Sequence, residues 1–389
     1  MSYDAFRTTL VIAGLTGLLV ASPVAGTMAK QTGAPKVAAT EIKVETVASG
    51  LEHPWGLQFL GDGRMLVTEQ PGRLRIVTAE GKISSPIEGV PKVYARGQGG
   101  LLDVRLSQNF AEDGVIFLSY SEPRQGGKAA TAVARARLVL EDGAGRLEDV
   151  KVIWRQQPAF GTNRHFGSRI VIDKAGALFI TTGDRGMGDP AQDPGGTVGK
   201  IIRINADGSI PDDNPKLAGW APEVWSIGHR SVQGAVLDPE GRLWTAEHGA
   251  RGGDELNRPE KGKNYGWPVI SYGRDYSGAK IGIGTRKEGM EQPVYYWDPS
   301  IATSGLEFYT GDLFPEWKGN FLVGGLAGAK LVRLVMENGE VVGQESLLAD
   351  RGERIRDVRQ GPDGAVYVLT DEADGSILRI TPAVSQSNG

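Results

Sequence analysis

The chain has 389 residues, of which 40% are hydrophobic and 23% charged, so it can bury a large core and is neither disordered nor fibrous. Its 43 basic and 47 acidic residues give a formal net charge of -4, which provides no basic surface for nucleic acid. The sequence contains no cysteine, which excludes disulfides, thiolate metal sites, iron-sulfur clusters and covalently attached haem.

The N-terminal segment has the layout of a secretory signal peptide, which we predict over residues 1–29. Arg7 precedes an apolar run from Leu10 to Ala21, and small residues follow around the expected cleavage site at 26–29. Cleavage would release a periplasmic or secreted protein with no stable membrane insertion. An uncleaved membrane anchor is the alternative, although the apolar run is short for a membrane span.

One pattern recurs through the rest of the chain: a turn of Gly, Asp or Pro followed by a short strand-like run. The six copies are LGDGRMLVTE, AEDGVIFLSY, DKAGALFITTGD, DPEGRLWTAEHG, PEWKGNFLVGG and GPDGAVYVLTDE. Many are followed by a second strand-like run, such as GRLRIV or GSILRI. This repetition predicts an all-β fold, a six-bladed β-propeller with four-stranded antiparallel blades, because each small sheet must bury its faces against the next. A β-sandwich is the alternative, but six near-identical hairpins argue against it.

The repeats define one domain. We predict a flexible lead-in over residues 30–40, the propeller over residues 41–382 and a tail over residues 383–389. The segment IKVETV, beginning at Ile42, is expected to pair with the end of the chain and close the ring, because an open ring would leave unpaired strand edges.

The third copy carries a candidate base. RIVI and ALFI flank the turn DKAG and predict a β-hairpin, at whose open end His165 should lie opposite Asp184. Such a carboxylate would fix the tautomer of the imidazole and raise its basicity, leaving the other ring nitrogen free to accept a proton. A purely structural His-Asp pair is the alternative.

The fourth and sixth copies bring further polar groups to open hairpin ends. The same pairing places Arg230 opposite Gly249, and Arg354 opposite Asp371. The fourth copy adds several groups to this rim: His248, the carbonyls of Gly249 and Ala250, and the acids Asp254 and Glu255.

The open ends of all hairpins in a propeller should share one face. The shared rim would then hold a His-Asp base, arginines and carbonyl oxygens of the kind that bind a hard cation such as calcium. The combination predicts an anionic ligand together with a metal. Salt bridges between blades are the alternative explanation for Arg354 and Arg356.

Eight groups of residues, in order along the chain, resemble the soluble pyrroloquinoline quinone (PQQ) dependent glucose and aldose sugar dehydrogenases. They are HPWGLQFL, GQGGLLDV, RHFGSRIV, TTGDRG, GHRSVQG, EHGARGGDELN, GKNYGWP, and RIRDV with GPDG and YVLTDE. The resemblance implies a six-bladed propeller that binds PQQ and calcium on one face. It also implies oxidation of the anomeric hydroxyl of an aldose to the lactone.

The resemblance implies a role for each matching residue. His165 would remove the hydroxyl proton, Asp184 would orient it, and Arg230 would stabilise charge on the quinone oxygen. The carbonyls of Gly249 and Ala250 would bind calcium, and Glu255 and Tyr265 resemble a second, structural calcium site. The implied cofactor contacts are Gln98, His165, Arg230, Ser231, His248, Arg354 and Arg356.

The chain departs from the glucose enzymes at three positions. Ser231 stands where they have asparagine, and His248 replaces a glutamine, as in the aldose branch. Ala327 stands where the family has a lysine, with Lys330 three positions on, and this leaves the affinity for PQQ open.

Two other functions remain open from the sequence. A six-bladed calcium-dependent hydrolase, such as a lactonase, would hold a central metal with side-chain carboxylates and amides. A non-catalytic propeller that binds another protein would be expected to lack the His165, Asp184 and Arg230 set. The sequence identifies neither the preferred sugar nor the electron acceptor, and it leaves monomer and dimer open.

Overall fold

The computed structural model describes residues 33–141 and 144–383. The predicted signal peptide and residues 384–389 of the predicted tail lie outside the described residues. Within the described ranges, no helix is long and apolar enough to cross a membrane.

The described residues are organised almost entirely as short strands. In chain order they are β1 (Ile42–Leu51), β2 (Pro54–Phe59), β3 (Met65–Glu69), β4 (Arg73–Val77), β5 (Leu101–Leu106), β6 (Val115–Pro123), β7 (Ala129–Glu141), β8 (Ala144–Arg155), β9 (Gly167–Ile172), β10 (Leu178–Thr182), β11 (Lys200–Ile204), β12 (Val224–Ile227), β13 (Val232–Leu237), β14 (Leu243–Glu247), β15 (Asp254–Asn257), β16 (Tyr295–Trp297), β17 (Thr303–Phe308), β18 (Phe321–Gly325), β19 (Lys330–Glu337), β20 (Glu340–Leu347), β21 (Ile355–Gln360), β22 (Val366–Thr370) and β23 (Gly375–Pro382). One helical turn, α1 (Phe110–Asp113), and three 3-10 turns, at Gln125–Gly127, Asp189–Gln192 and Pro315–Trp317, complete the elements.

The strands form six antiparallel sheets, which confirms the predicted six-bladed propeller. Blade 1 contains β2–β4, blade 2 β5–β8, blade 3 β9–β12, blade 4 β13–β16, blade 5 β17–β20, and blade 6 β21–β23 with β1. The apolar side chains form a buried cluster at each interface between neighbouring blades. Burial against the next sheet is what makes six separately marginal sheets stable.

Blade 1 differs from the predicted four strands. Its sheet has three strands, and the chain that follows β4 runs along the edge of that sheet without forming a regular fourth strand. Ser84 N–H donates to Ile76 O and Ile87 N–H to Leu74 O, both at 2.8 Å. Pro86 lies between these donors and cannot donate a ladder hydrogen bond, which explains why no regular strand forms there.

The ring closes between the two ends of the domain. β1 pairs with β23 from Ile42 opposite Pro382 to Leu51 opposite Gly375, as predicted for IKVETV. Part of the segment predicted as a flexible lead-in follows the edge of blade 5, where Val37 N–H donates to Gln344 O at 3.1 Å.

A β-bulge recurs at the same place in the innermost strand of every described blade. The register shifts fall between Pro54 and Leu57, Leu101 and Val104, Gly167 and Ile170, Val232 and Gly234, Thr303 and Leu306, and Ile355 and Asp357. Bulges bend a strand and redirect side chains, and they are frequent beside active sites. Here they separate the body of each blade from the rim of the channel.

In the body of blade 3, the observed strand pairing differs from the predicted register by one residue. In blade 3, Leu178 pairs with Ile172 rather than with Val171, one residue away from the register centred on DKAG. Beyond the bulge, Thr182 pairs with Gly167, which restores the predicted register at the rim. The extra residue therefore explains why the pairing centred on the turn still places His165 opposite Asp184.

A network of buried charges crosses the central channel. Arg169 Nη1 lies 2.9 Å from Asp103 Oδ1 and its Nη2 lies 3.2 Å from Asp357 Oδ1. Arg359 Nη2 approaches Asp357 Oδ2 at 3.1 Å. These side chains come from blades 2, 3 and 6, so the network connects the inner strands of blades that are far apart in sequence.

Candidate active site

His165 and Asp184 contact each other at the open end of the β9–β10 hairpin, as predicted. His165 Nδ1 lies 2.6 Å from Asp184 Oδ1, and the two side chains are only 11% and 2% exposed. The carboxylate also accepts the Gly186 N–H at 2.7 Å and the Trp267 indole N–H at 2.8 Å. Because Nδ1 is held by the carboxylate, Nε2 is the nitrogen left to accept a proton.

The backbone around His165 is shaped to allow this contact. His165 has a left-handed φ of 55°, an uncommon conformation for a residue with a side chain. Gly183 packs directly against it, and a Cβ at Gly183 would stand 1.9 Å from the His165 carbonyl oxygen. Glycine is therefore required in the TTGDRG segment for the imidazole to reach Asp184.

The environment keeps the imidazole neutral and the carboxylate charged. Burial lowers the pKa of His165 below its ordinary value, the hydrogen bond with Asp184 opposes that shift, and the charge of Arg230 adds to it. Burial acts to raise the pKa of Asp184, but its hydrogen bond with His165 holds it below the usual value. Neutral imidazole beside a carboxylate is the protonation state of a general base.

Arg230 joins this pair through backbone and side-chain contacts. The Asp184 N–H donates to Arg230 O at 2.7 Å, and Arg230 Nη1 donates to His248 O at 3.3 Å. The guanidinium lies 5.2 Å from the ring centroid of Trp267, the residue that donates to Asp184. The three residues predicted to be catalytic therefore belong to one connected group.

A cavity of about 240 Å³ opens beside this group. Four of the predicted cofactor-contact residues line it: Gln98, His248, Arg354 and Arg356. Gln98 Oε1 also accepts the His165 N–H at 2.6 Å, which connects the wall of the cavity to the candidate base. His165 and Arg230 stand beside this wall rather than within it.

The arginines of blade 6 form a cationic wall of the cavity. Arg356 Nη2 lies 2.5 Å from Asp371 Oδ2, and Arg354 Nη2 lies 3.4 Å from the same oxygen. Arg356 Nη1 donates to Gln233 Oε1 of blade 4 at 2.6 Å. These salt bridges therefore join residues of blade 6 to each other rather than blade to blade. The contact of Arg356 with blade 4 is a hydrogen bond. The two guanidiniums share one carboxylate, which leaves a net positive charge facing the cavity.

Two further predicted residues present polar atoms without protein partners. His248 Nε2 and Ser231 Oγ are buried, and no hydrogen-bond partner lies within reach among the described residues. Burial and the charges of Arg230 and Arg356 lower the pKa of His248 to about 3, so this imidazole is neutral. Buried polar atoms that lack partners are uncommon and are expected where a ligand completes the hydrogen bonding.

The segment after His248 forms a tight backbone cradle. A Cβ at Gly249 would lie 2.3 Å from the carbonyl oxygens of Gly252 and Gly253, so only glycine fits there. Gly249 N–H donates to Asp254 Oδ1 at 2.8 Å. Ala250, the second predicted carbonyl ligand, follows in the same cradle.

Acidic side chains cluster behind this cradle. Burial, together with the neighbouring charge of Glu247, raises the pKa of Glu255 to about 8. Burial also raises the pKa of Asp254. Tyr265 packs nearby on the ring of His229, at 5.0 Å between centroids, and its hydroxyl donates to Arg258 O at 2.7 Å. A buried acid with a raised pKa is a group whose charge a cation would stabilise.

The segment that departs from the family at Ala327 borders the same cavity. Leu326 lines the cavity, Ala327 is exposed, and Lys330 begins β19 opposite Gly325. Leu326 is thus the residue of this segment that a bound molecule would contact.

Several residues of the site were not singled out from the sequence. Trp55, Gln233 and Tyr276 line the cavity, and Trp267 donates to Asp184. Trp55, Gln233 and Trp267 lie inside three of the motifs, HPWGLQFL, GHRSVQG and GKNYGWP, so the motifs carried a signal for them. Tyr276 lies in the loop DYSGAKIGIGTRKEG, on which the sequence indicates that the preferred sugar depends, but the loop has no repeat or motif that distinguishes this residue.

Comparison with known proteins gives consistent matches along the whole propeller. The family model for glucose / sorbosone dehydrogenase matches residues 51–379. The aldose sugar dehydrogenase YliI of Escherichia coli (strain K12) is 46% identical over 347 residues, covering 88% of this chain and 93% of that protein.

Solved structures with the same fold include two aldose sugar dehydrogenases. The apo-form of the soluble enzyme from Escherichia coli has a TM-score of 0.85 at 45% identity, covering 88% of this chain and 100% of that one. The PQQ-bound form of the enzyme from Streptomyces coelicolor has a TM-score of 0.74 at 27% identity, covering 89% of this chain and 99% of that one.

Proposed function

The chain belongs to the glucose / sorbosone dehydrogenase family, whose members act on sugars as oxidoreductases, and on this premise we propose a specific reaction for it. The enzyme oxidises the anomeric hydroxyl of an aldose to the lactone, using PQQ and calcium, in the periplasm or after secretion. The observation that carries this proposal is the His165–Asp184 pair beside a cavity with a cationic wall.

The residues of the cavity suit PQQ, a flat quinone that carries three carboxylates. Arg354 and Arg356 line the cavity and would bind these carboxylates, which guanidinium groups bind strongly. Two buried nitrogen atoms, Nε2 of His248 and Nε of Arg356, have no hydrogen-bond partner in the described part of the chain, and such a ligand would supply one. Gln98 and Ser231 add amide and hydroxyl groups at the side of His165. When bound, PQQ supplies a quinone carbonyl that accepts a hydride from the anomeric carbon.

His165 acts as the general base in this proposal. Its Nε2 takes the proton of the anomeric hydroxyl as the C–H bond breaks, while Asp184 stabilises the resulting imidazolium through Nδ1. Trp267 and Gly186 keep the Asp184 carboxylate in place. The guanidinium of Arg230 would stabilise negative charge on an oxygen of the bound cofactor.

The carbonyls of Gly249 and Ala250 would hold the calcium of the active site. The cradle accepts no side chain at position 249, and backbone carbonyl oxygens are ligands that calcium binds. A bound calcium supplies Lewis-acid polarisation of the cofactor. Glu255 and Tyr265 would hold a second, structural calcium, and a cation there would stabilise the buried charge of Glu255.

The hydrolase alternative fits the channel less well. Its metal would need several side-chain carboxylates converging at the centre, but Asp103 and Asp357 in this channel are paired with Arg169 and Arg359. A propeller that only binds a partner protein has no use for the His165–Asp184 pair.

Reconstitution tests the proposed reaction directly. The purified protein, given PQQ and calcium, is expected to reduce an artificial dye with aldoses and to release the lactone. PQQ without calcium, and calcium without PQQ, are the controls and should give little activity. A fully loaded protein that oxidises no aldose, or that binds no PQQ by absorbance or calorimetry, would disprove the proposal.

The pH dependence of kcat/KM should report the pKa of His165. Because this pKa is lowered from its ordinary 6.5, neutral His165 predominates at pH 7, and activity is expected to be flat above that pH and to fall at lower pH. Asp184→Asn removes the contact that raises the pKa, so the acidic limb should move to lower pH. An acidic limb above pH 7 in the wild type, or a shift to higher pH in the variant, would contradict the assignment.

A further inference from the structure

Tyr276 combines an exposed ring with a place in the wall of the cavity. The residue is 70% exposed, the most of any large apolar or aromatic residue in the described ranges, yet it lines the cavity together with Gln98, His248 and Arg356. A ligand that covered this ring would gain free energy from the apolar area it removes from water. The position of the ring at the mouth of the cavity indicates a ligand that covers it.

The backbone of the loop that carries Tyr276 is held by hydrogen bonds. Asp275 and Ala279 close a tight turn through a 2.9 Å backbone hydrogen bond, and the Gly278 N–H donates to Asp275 O at 2.8 Å. The base of the turn is anchored by two hydrogen bonds of 2.9 Å between Arg251 and Arg274. Arg251 directly follows the Gly249–Ala250 cradle, so the backbone of this turn is anchored beside the site.

The turn also lies close to the catalytic group. The pKa of Asp275 is lowered mainly by hydrogen bonds from Ser277, and the charge of Arg230 contributes to the same shift. Asp275 and Arg230 are therefore within electrostatic range of each other. Tyr276, the next residue, lines the same cavity as Gln98, whose Oε1 accepts the His165 N–H.

The other aromatic residues of the cavity are already covered. The guanidinium of Arg169 lies 4.3 Å from the ring centroid of Trp55, and that of Arg185 lies 3.4 Å from the ring centroid of Phe166. Neither a cation nor an aromatic ring packs on Tyr276 among the described residues. Because Trp55 and Phe166 are only 4% and 2% exposed, the ring of Tyr276 is the aromatic surface of the cavity most open to a ligand.

We propose that Tyr276 is a substrate-binding residue whose ring stacks against the C–H face of the aldose. This inference rests on the proposed function, since it names the residue that holds the sugar at that same site. A sugar ring presents polarised C–H groups on one face, which the negative face of an aromatic ring attracts, and hydroxyl groups at its edge, which the polar wall can bind. Stacking at the mouth orients the anomeric hydroxyl towards His165.

The test compares substitutions at Tyr276 in the protein loaded with PQQ and calcium. Tyr276→Ala is expected to raise KM for glucose about tenfold with kcat within about twofold of the wild type. Tyr276→Phe keeps the ring and should keep the wild-type KM. Ile283→Ala, which alters a 59% exposed apolar residue of the same loop, is the matched control and should change nothing.

A binding measurement separates the sugar from the cofactor. The dissociation constant of 1,5-anhydroglucitol, a glucose analogue without the anomeric hydroxyl, should rise by the same factor in Tyr276→Ala by calorimetry, and PQQ affinity should not change. If the wild type is active, the inference is overturned when Tyr276→Ala leaves KM for glucose unchanged. It is also overturned when the variant loses only affinity for PQQ. If the wild type oxidises no aldose, the proposed function fails instead, and the calorimetry still decides whether the sugar binds at Tyr276.

Discussion

Replacing His165 by glutamine is expected to lower kcat for aldose oxidation about 10³-fold, because general-base catalysis contributes roughly 10²–10⁴-fold. Glutamine can still donate a hydrogen bond to Asp184, but it cannot take a proton at neutral pH. The cavity wall formed by Arg354 and Arg356 is untouched, so PQQ should bind with nearly wild-type affinity. Steady-state kinetics and a PQQ titration on the same preparation measure the two effects.

A matched variant shows whether the loss is chemical. Asp113→Asn alters an exposed carboxylate that accepts hydrogen bonds from Ser107, far from the rim, and should leave kcat unchanged. If His165→Gln keeps wild-type turnover, His165 is not the base. If it loses PQQ and turnover together, its role is in binding the cofactor rather than in proton transfer.

Replacing Arg169 by leucine is expected to lower the free energy of unfolding by about 3–5 kcal/mol, the usual effect of removing one partner from a buried ion pair. Burial alone would raise the pKa of Asp103, but the charges of Arg105, Arg169 and Arg359 hold it below its usual value. Without Arg169, the carboxylates of Asp103 and Asp357 are left with too little positive charge in the channel. Denaturation by guanidinium chloride measures the change.

The control for Arg169→Leu is an ion pair on the surface. Arg64 contacts Asp62 at 2.6 Å, and both side chains are substantially exposed, so Arg64→Ala should change stability by less than about 1 kcal/mol. Equal effects of the two substitutions would show that the channel network adds no more to stability than a solvated pair. A smaller loss in Arg169→Leu than in Arg64→Ala would contradict the prediction outright.

The pairing of hairpins was predictable because it depends on residues close together in sequence. The turn DKAG and its two apolar runs were enough to place His165 opposite Asp184, and the same logic placed Arg354 opposite Asp371. The agreement at the rim nevertheless depends on a bulge that the sequence pattern does not reveal. The pattern of alternating apolar residues continues across a bulge with little change, so the strand body was predicted one residue out of register.

The partners of individual side chains were harder to predict. Arg356 contacts Gln233, which is 123 residues away along the chain, and Trp267 reaches Asp184 across 83 residues. Blade 1 replaces its fourth strand by an irregular edge because of one proline, a local feature that the repeat pattern obscured. Tyr276 belongs to a loop whose shape depends on hydrogen bonds to Arg251.

The sequence by itself determined the number of blades, the closure of the ring by Ile42–Leu51 and the chemical types gathered at the rim, because repeats, strand periodicity and turn residues are local signals. Only the tertiary structure decided which of these groups meet around one cavity, which stay unpartnered, and which are neutralised by a neighbour. Those outcomes depend on how blades pack around the channel, where distances between side chains are set by bulges and loop geometry rather than by separation along the chain.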